Sequence, residues 1–339
     1  MQAHQYIYNI NYPFYEKELC AFELRALFGI EIDEKVFFTE IKVKPSISPF
    51  IKNRLEIIYE GTTFDEILKQ ITTDSLTATD FMVKYLQLEK LKKSDKPNKI
   101  NEVDKIDAVD KLAELDKPDS DSKKRRELCK KVGLCIDGHP SYKTPSKIFG
   151  ITVYQGNWYF GILTKSDNIW KMHNDKPYTY SSSIGINTAK VLVNIAGKGD
   201  TTKKLVDPCC GVGTVLLEGE SAGYQIKGWE INSKIADDAR DNLKHFNYHT
   251  RVTNGDIKDI EESFDAAIID LPYGNFSKTN QEEMLVIIRN AKRIAQKVVI
   301  VSSEDITEDL VSEALSIIDF CKIGKNRISN FTRYIWVCE

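Results

Sequence analysis

The sequence predicts an α/β protein: a mostly parallel, doubly wound sheet with an antiparallel last strand, preceded by an α+β region. Three observations predict it. From about residue 181, apolar β-type runs alternate with amphipathic helical segments. A glycine-bearing turn, Asp207-Pro208-Cys209-Cys210-Gly211-Val212-Gly213-Thr214, follows the first of those runs and opens a helix. Acids stand where the second, third and fourth strands should end, at Glu230, Asp256 and Asp270.

The bulk numbers set the frame. A chain of 339 residues exceeds one ordinary core and implies two or three domains. A net charge of −3 excludes a global basic field, so any nucleic-acid contact must come from a local patch. Seven cysteines form no C-x-x-C pair, and an odd count in a long chain reads as reduced thiols of a cytoplasmic protein. Met1-Gln2-Ala3-His4 does not open a signal peptide. No apolar run approaches the roughly 18 to 20 residues of a membrane span.

The elements follow in order. Tyr6–Ile10 reads as a strand. Glu16–Phe28 has helical apolar spacing (Leu19, Phe22, Leu24, Leu27) and stops at Gly29. Val36–Phe38 and Leu55–Tyr59 are strands, and a helix starts near Thr62 or Thr63. Phe81–Leu88 is a strand. The stretch 89–124, dense in Lys, Asp and Glu, reads as a solvated insertion ending in Lys123-Lys124-Arg125-Arg126. That basic run is a solvated helix face or a phosphate contact. A helix at Glu127–Gly133 precedes two strands, Ser146–Tyr154 and Asn157–Leu163, joined at Gln155-Gly156. His139 falls in a loop, and Asn168–Pro177 is a connector.

In the C-terminal half, Ile186–Ala196 is helical. Strands follow at Lys204–Val206, Tyr224–Glu230, Thr250–Thr253, Asp265–Ile269 and Val298–Val301, with helices at Lys234–His245 and Gln281–Ile294 between them. Phe331–Val337 is rich in β formers and can pair antiparallel. The expected domains are 1–75 (α+β, ferredoxin-like), 76–165 carrying the charged insertion, a linker at 166–180, and 181–339.

Gly211 and Gly213 permit a tight turn and close approach to a ligand. A dinucleotide fingerprint fails because Leu216 stands at its third glycine. One acid at a strand end is as readily a helix cap as a ligand. Acids at successive strand ends converge on one crevice, because all carboxyl ends of a doubly wound sheet share an edge. Glu230 suits two ribose hydroxyls and Asp256 an adenine amino group. Cys209 and Cys210 read as small packing residues, and no His or Cys stands at metal-ligand spacing, so no metal is expected. Arg333 reads as a surface ion pair or a phosphate contact.

Asp270-Leu271-Pro272-Tyr273, followed by Gly274, closes the fourth strand. An acid and a backbone carbonyl there can accept bonds from a planar amine, and an aromatic can stack on the base that carries it.

These motifs resemble those of class I S-adenosylmethionine-dependent amino-methyltransferases, across residues 177–339. The whole chain resembles RNA methyltransferases with a THUMP domain, nearest to the tRNA guanine-N2 methyltransferases that act on position 10. Cys129–Leu163 is similar to the second half of a THUMP domain. The resemblance implies a Rossmann-like catalytic domain and S-adenosylmethionine as cofactor. It implies cofactor contacts at Asp207, Cys209, Gly211, Gly213, Thr214, Glu230, Ile231, Asp256, Ile257 and Asp270. Asp270, Pro272 and Tyr273 would be catalytic. Leu271, Gly274, Lys123, Lys124, Arg125 and Arg126 would meet the substrate, a tRNA or another structured RNA. Leu271 departs from the family pattern, which has proline there, and the charged insertion is not part of the usual pattern. Competing readings are an N6-adenine DNA methyltransferase, an RNA-binding protein that has lost catalysis and, more weakly, a nicotinamide oxidoreductase. Oligomeric state is not legible.

Overall fold

The computed structural model describes residues 5–31, 34–88, 118–180, 183–271, 281–326 and 329–339. The chain divides into two compact units. The first comprises residues 1–9, 35–42 and 53–165, and the second residues 10–34, 43–52 and 166–339.

The first unit is built on β1 (Tyr6–Ile10), β2 (Val36–Thr39), β3 (Ile51–Gly61), β4 (Thr77–Tyr85), β5 (Asp137–Pro140), β6 (Lys147–Tyr154) and β7 (Asn157–Lys165). Their order is β2-β1-β3-β7-β6-β4-β5. Alternation along β7 sorts its side chains to two cores. Trp158 and Phe160 pack with Ile67, Phe81, Val132 and Phe149. Tyr159 and Leu163 pack with Ile7, Val36 and Leu55. The β6–β7 turn places Gln155 and Gly156 at φ 49° and 83°, as a two-residue hairpin requires. Thr63 caps α2 (Phe64–Thr73), its Oγ1 accepting from the Glu66 N–H at 3.2 Å. Helix α3 (Pro118–Leu134) begins inside the stretch expected to be a solvated insertion. His139, expected in a loop, lies in β5 at the sheet edge and pairs with β4.

The second unit carries the doubly wound sheet. Its strands are β8 (Lys204–Asp207), β9 (Gln225–Glu230), β10 (Val252–Asn254), β11 (Phe264–Asp270), β12 (Ala295–Ser302), β13 (Ile317–Asn326) and β14 (Ser329–Cys338). The order is β10-β9-β8-β11-β12-β14-β13. β8 to β12 are parallel, and β14 runs antiparallel to both β12 and β13. The antiparallel last strand is as expected. β13 lacks a clean alternation in sequence and was not foreseen. The order reverses between β8 and β11, which opens a crevice at their carboxyl ends.

Helix α1 (Lys17–Phe28) packs in this unit against α4 (Ile186–Gly197) and β13. Its capping residue Gly29 has φ 68°. Two polar contacts dock it. Arg25 donates to both carboxylate oxygens of Asp319 at 3.2 and 2.9 Å. Glu23, fully buried, accepts from Ser48 Oγ at 2.5 Å and from Asn194 Nδ2 at 2.6 Å. A second buried cluster fastens the connector ahead of α4. His173 Nδ1 lies 2.6 Å from Glu218 Oε1 and its Nε2 lies 3.0 Å from the Tyr248 hydroxyl. Lys190 Nζ reaches Glu218 Oε2 at 3.3 Å. Trp170 of this connector is buried.

Burial pushes the Glu23 carboxyl from 4.5 up to about 7, against the lowering pull of Ser48, Asn194 and Lys190. Between those values the folded protein holds a proton that the unfolded chain has released. The Glu23 contribution to stability therefore falls as pH rises from 4.5 to 7, by about 3 kcal/mol, and levels off above. Glu23→Gln keeps one acceptor and one donor at this site. It should flatten that part of the profile and raise the urea midpoint at pH 8, measured across pH 4.5–8.

Candidate active site

The site begins with the turn after β8. Gly213 takes φ 81°, in the left-handed region, and starts α5 (Thr214–Ser221). The turn is tied to the neighbouring strand, because the Cys210 N–H donates to the Trp229 carbonyl at 2.8 Å. Glycine also permits close strand–helix packing here, although not at the position a dinucleotide fingerprint would use. A Cβ on Gly228 of β9 would stand 2.5 Å from Leu216 Cδ1 and 3.0 Å from Cys210 Sγ. The glycine that Leu216 displaces from the helix is supplied by the facing strand.

Glu230 ends β9 and joins three elements. Its Oε2 accepts from the Gly211 N–H at 3.0 Å and its Oε1 from the Asn232 N–H at 2.9 Å. Its carbonyl accepts from the Gly255 N–H at 3.1 Å and from Asn254 Nδ2 at 2.9 Å. Asn232 also caps α6 (Ser233–His245). Asp256 caps a short 3-10 turn through the Lys258 N–H at 3.0 Å, and Lys258 Nζ lies 3.6 Å from its Oδ2. Capping and facing the crevice are thus both true of Asp256.

A cavity of about 530 Å³ is lined by Cys209, Glu230, Ile231, Asp256, Ile257 and Asp270, residues of four successive strand ends. Pro208, Gly255, Lys258 and four residues of α7 (Gln281–Ile294), namely Glu282, Glu283, Val286 and Ile287, complete its wall. The α7 residues were missed from sequence. Their signal was the amphipathic face of that helix, which does not say what it faces. Ile231 is 71% exposed, an apolar surface left open to this cavity.

The electrostatics agree with this convergence of acids. Burial raises the Asp207 carboxyl well above its usual range, the Cys209 N–H opposes this at 3.2 Å, and Asp270 and Glu230 raise it further. Burial likewise raises the Cys209 thiol, followed by Asp207, Glu230, Asp256 and Asp270. All four carboxylates therefore act on one sulfur. Thiolate is the form that attacks or ligates, and these surroundings disfavour it. Among the described residues no cluster could hold a metal.

The remaining expected site residues fall as follows. Gly211, Gly213 and the buried Thr214 form the turn itself. Leu271 is 2% exposed in the core, and its N–H donates to the Val301 carbonyl at 2.9 Å. A proline could not make that bond, so the departure from the family pattern extends the strand ladder. Only the Leu271 backbone remains to meet a substrate. Pro272, Tyr273 and Gly274 lie outside the described residues. Lys123, Lys124, Arg125 and Arg126 are on α3 of the first unit. Arg125 is engaged there, donating to Gln87 Oε1 at 3.1 Å and lying over the Tyr85 ring. Arg333 is buried rather than a surface residue, and it lines a separate cavity of about 300 Å³ with Tyr15 and Asn187.

Residues 174–317 match the RMKL-like methyltransferase domain family. A probable tRNA (guanine(10)-N2)-dimethyltransferase of Methanothermococcus thermolithotrophicus is 31% identical over 137 residues, covering 36% of this chain and 83% of the relative. The chain belongs to this family of class I methyltransferases. A tRNA (guanine(10)-N2)-dimethyltransferase of Methanothermobacter thermautotrophicus is 31% identical over 113 residues, 32% of this chain. The matched segment spans 33% of that relative's length. Among solved structures, TrmN from Thermus thermophilus aligns over 99% of both chains at 13% identity and a TM-score of 0.44.

The residues present fit S-adenosylmethionine. Glu230 offers paired oxygens for a ribose diol, and Ile231 and Ile257 offer apolar surface for adenine. The crowded carboxylates favour a cationic ligand. Thr214 Oγ1 is buried with no partner among the described residues, a donor at a helix N-terminus where a carboxylate is stabilised. Glu230→Ala should weaken S-adenosylhomocysteine binding about 100-fold, on the order of 3 kcal/mol for lost charge-assisted bonds. Calorimetric titration measures this, and an unchanged affinity would place the ribose elsewhere.

Proposed function

We propose that this methyltransferase moves a methyl group from S-adenosylmethionine to the exocyclic N2 of a guanine in tRNA. The observation that carries the reading is the placement of Asp270. It ends β11 and faces the same cavity as Glu230 and Asp256, so an amine acceptor beside it lies next to the donor. The names of the two curated relatives support tRNA guanine as that acceptor.

When bound, S-adenosylmethionine supplies an electrophilic sulfonium methyl. The protein's part is to present the amine in line with it. A guanine amine is a poor nucleophile because its lone pair is delocalised into the ring. The Asp270 carboxylate and the Leu271 carbonyl would accept its two N–H bonds, which orients the lone pair along the line of attack. Attack by that lone pair would form the N–C bond and break the S–C bond, the sulfur keeping the electron pair. The proton released from nitrogen passes to Asp270 or to solvent. Tyr273 of the same motif would stack on the flipped base.

Asp270→Ala should lower turnover by about three orders of magnitude, within the range of general acid–base effects. Its affinity for S-adenosylhomocysteine should change less than tenfold. Nucleoside mass spectrometry on tRNA and duplex DNA, each incubated with the wild-type protein, should find N2-methylguanosine in tRNA alone. N6-methyladenosine in the DNA, or full turnover by the variant, would overturn the assignment.

A further inference from the structure

The interior of α6 holds a side chain that local propensity does not explain. Asn242 is wholly buried, and a buried amide in a helix costs stability unless each polar atom is paired. Here each is paired, and all of its bonds leave the helix. Its Oδ1 accepts from the Tyr178 N–H at 2.9 Å. Its Nδ2 donates to the Tyr178 carbonyl at 3.0 Å and to the Val212 carbonyl at 2.9 Å. Only this orientation of the amide satisfies all three.

The two targets are functionally distinct. Val212 lies between Gly211 and Gly213 in the turn after β8. The N–H of its neighbour Gly211 is bound by Glu230. Tyr178 belongs to the connector that enters α4. One helical turn earlier on the same face of α6, Asp238 Oδ2 accepts from the Tyr180 hydroxyl at 2.7 Å. Asp238 is 8% exposed and Tyr180 43%, so this anchor is buried on the carboxylate side and meets water on the tyrosine side. Two side chains of one helix thus hold residues 178–180, and one of them holds the cofactor turn as well.

We propose that Asn242 is a positioning residue for the methyl donor. Its amide holds the carbonyl of the Val212–Gly213 peptide, whose Gly213 N–H closes the turn on the Cys210 carbonyl at 2.8 Å, and the turn so held presents the Gly211 N–H, two peptides earlier, to the Glu230 carboxylate. It also fixes the Tyr178 backbone against the same turn. Asp238 supports it through Tyr180. A hydrophobic residue of similar size would fill the space yet orphan three backbone groups, so packing does not account for the amide. The inference rests on the crevice being the donor site, and the Glu230→Ala titration tests that premise separately.

The test is steady-state kinetics and calorimetry of N242D and Y180F, with tRNA as acceptor. N242D keeps the acceptor for the Tyr178 N–H and sets a carboxylate against two carbonyls. The expected result is a KM for S-adenosylmethionine raised at least tenfold, with kcat at saturating donor within threefold and the KM for tRNA unchanged. A merely structural residue would lower the active fraction, and hence kcat, and leave the donor KM alone. That pattern, or wild-type affinity for S-adenosylhomocysteine in folded N242D, would overturn the proposal. Should N242D fail to fold, Y180F decides. A donor KM raised threefold or more at constant kcat supports the proposal, and wild-type values overturn it.

Discussion

Glu230 is the residue on which the rest of the site depends. Its carboxylate joins the Gly211 N–H of the β8 turn to the Asn232 N–H at the start of α6, and its carbonyl takes the Gly255 N–H and the Asn254 amide beyond β10. Three successive strand ends therefore share one hub. That arrangement is electrostatically costly, because Asp207 and Asp270 crowd it and Asp207 is driven towards its protonated form, chiefly by burial. A fold that keeps several acids this close at one sheet edge favours a cationic ligand. A sulfonium donor that also carries hydrogen-bonding ribose hydroxyls satisfies both the charge and the geometry.

Rigid elements hold this cluster. Asp270 is carried by a central parallel strand paired on both sides, and Leu271 continues its ladder to Val301 while its side chain fills the core. Buried polar networks then fasten segments that have little apolar surface of their own. Glu23, Ser48 and Asn194 dock α1, and His173, Glu218, Lys190 and Tyr248 dock the connector. Networks of this kind specify one arrangement, since loss of any partner leaves a buried group unpaired.

Much of the sheet was legible from sequence because its signals are local. Strands β8, β9, β11 and β12 show as apolar runs, and the acids at their ends needed only the rule that carboxyl ends share an edge. The hairpin at Gln155-Gly156 and the cap at Thr63 are likewise signalled by residue type. What sequence did not show depends on neighbours distant along the chain. β13 has no clean period and exists because β14 offers it an edge. His139 is in a strand because β4 is beside it. Nothing local marks Asn242 or Glu23 as hubs, since their partners lie up to 171 residues away. The α7 face of the cavity was hidden for the same reason, and the glycine that relieves Leu216 sits on the neighbouring strand as Gly228.

The most direct measurement is a crystal structure of the protein with S-adenosylhomocysteine. We expect the ribose hydroxyls on Glu230, the adenine between Ile231 and Ile257 with its amino group towards Asp256, and the sulfur facing Asp270. A ligand seated in the cavity beside Tyr15 and Arg333, or with its ribose away from Glu230, would contradict this placement of the donor.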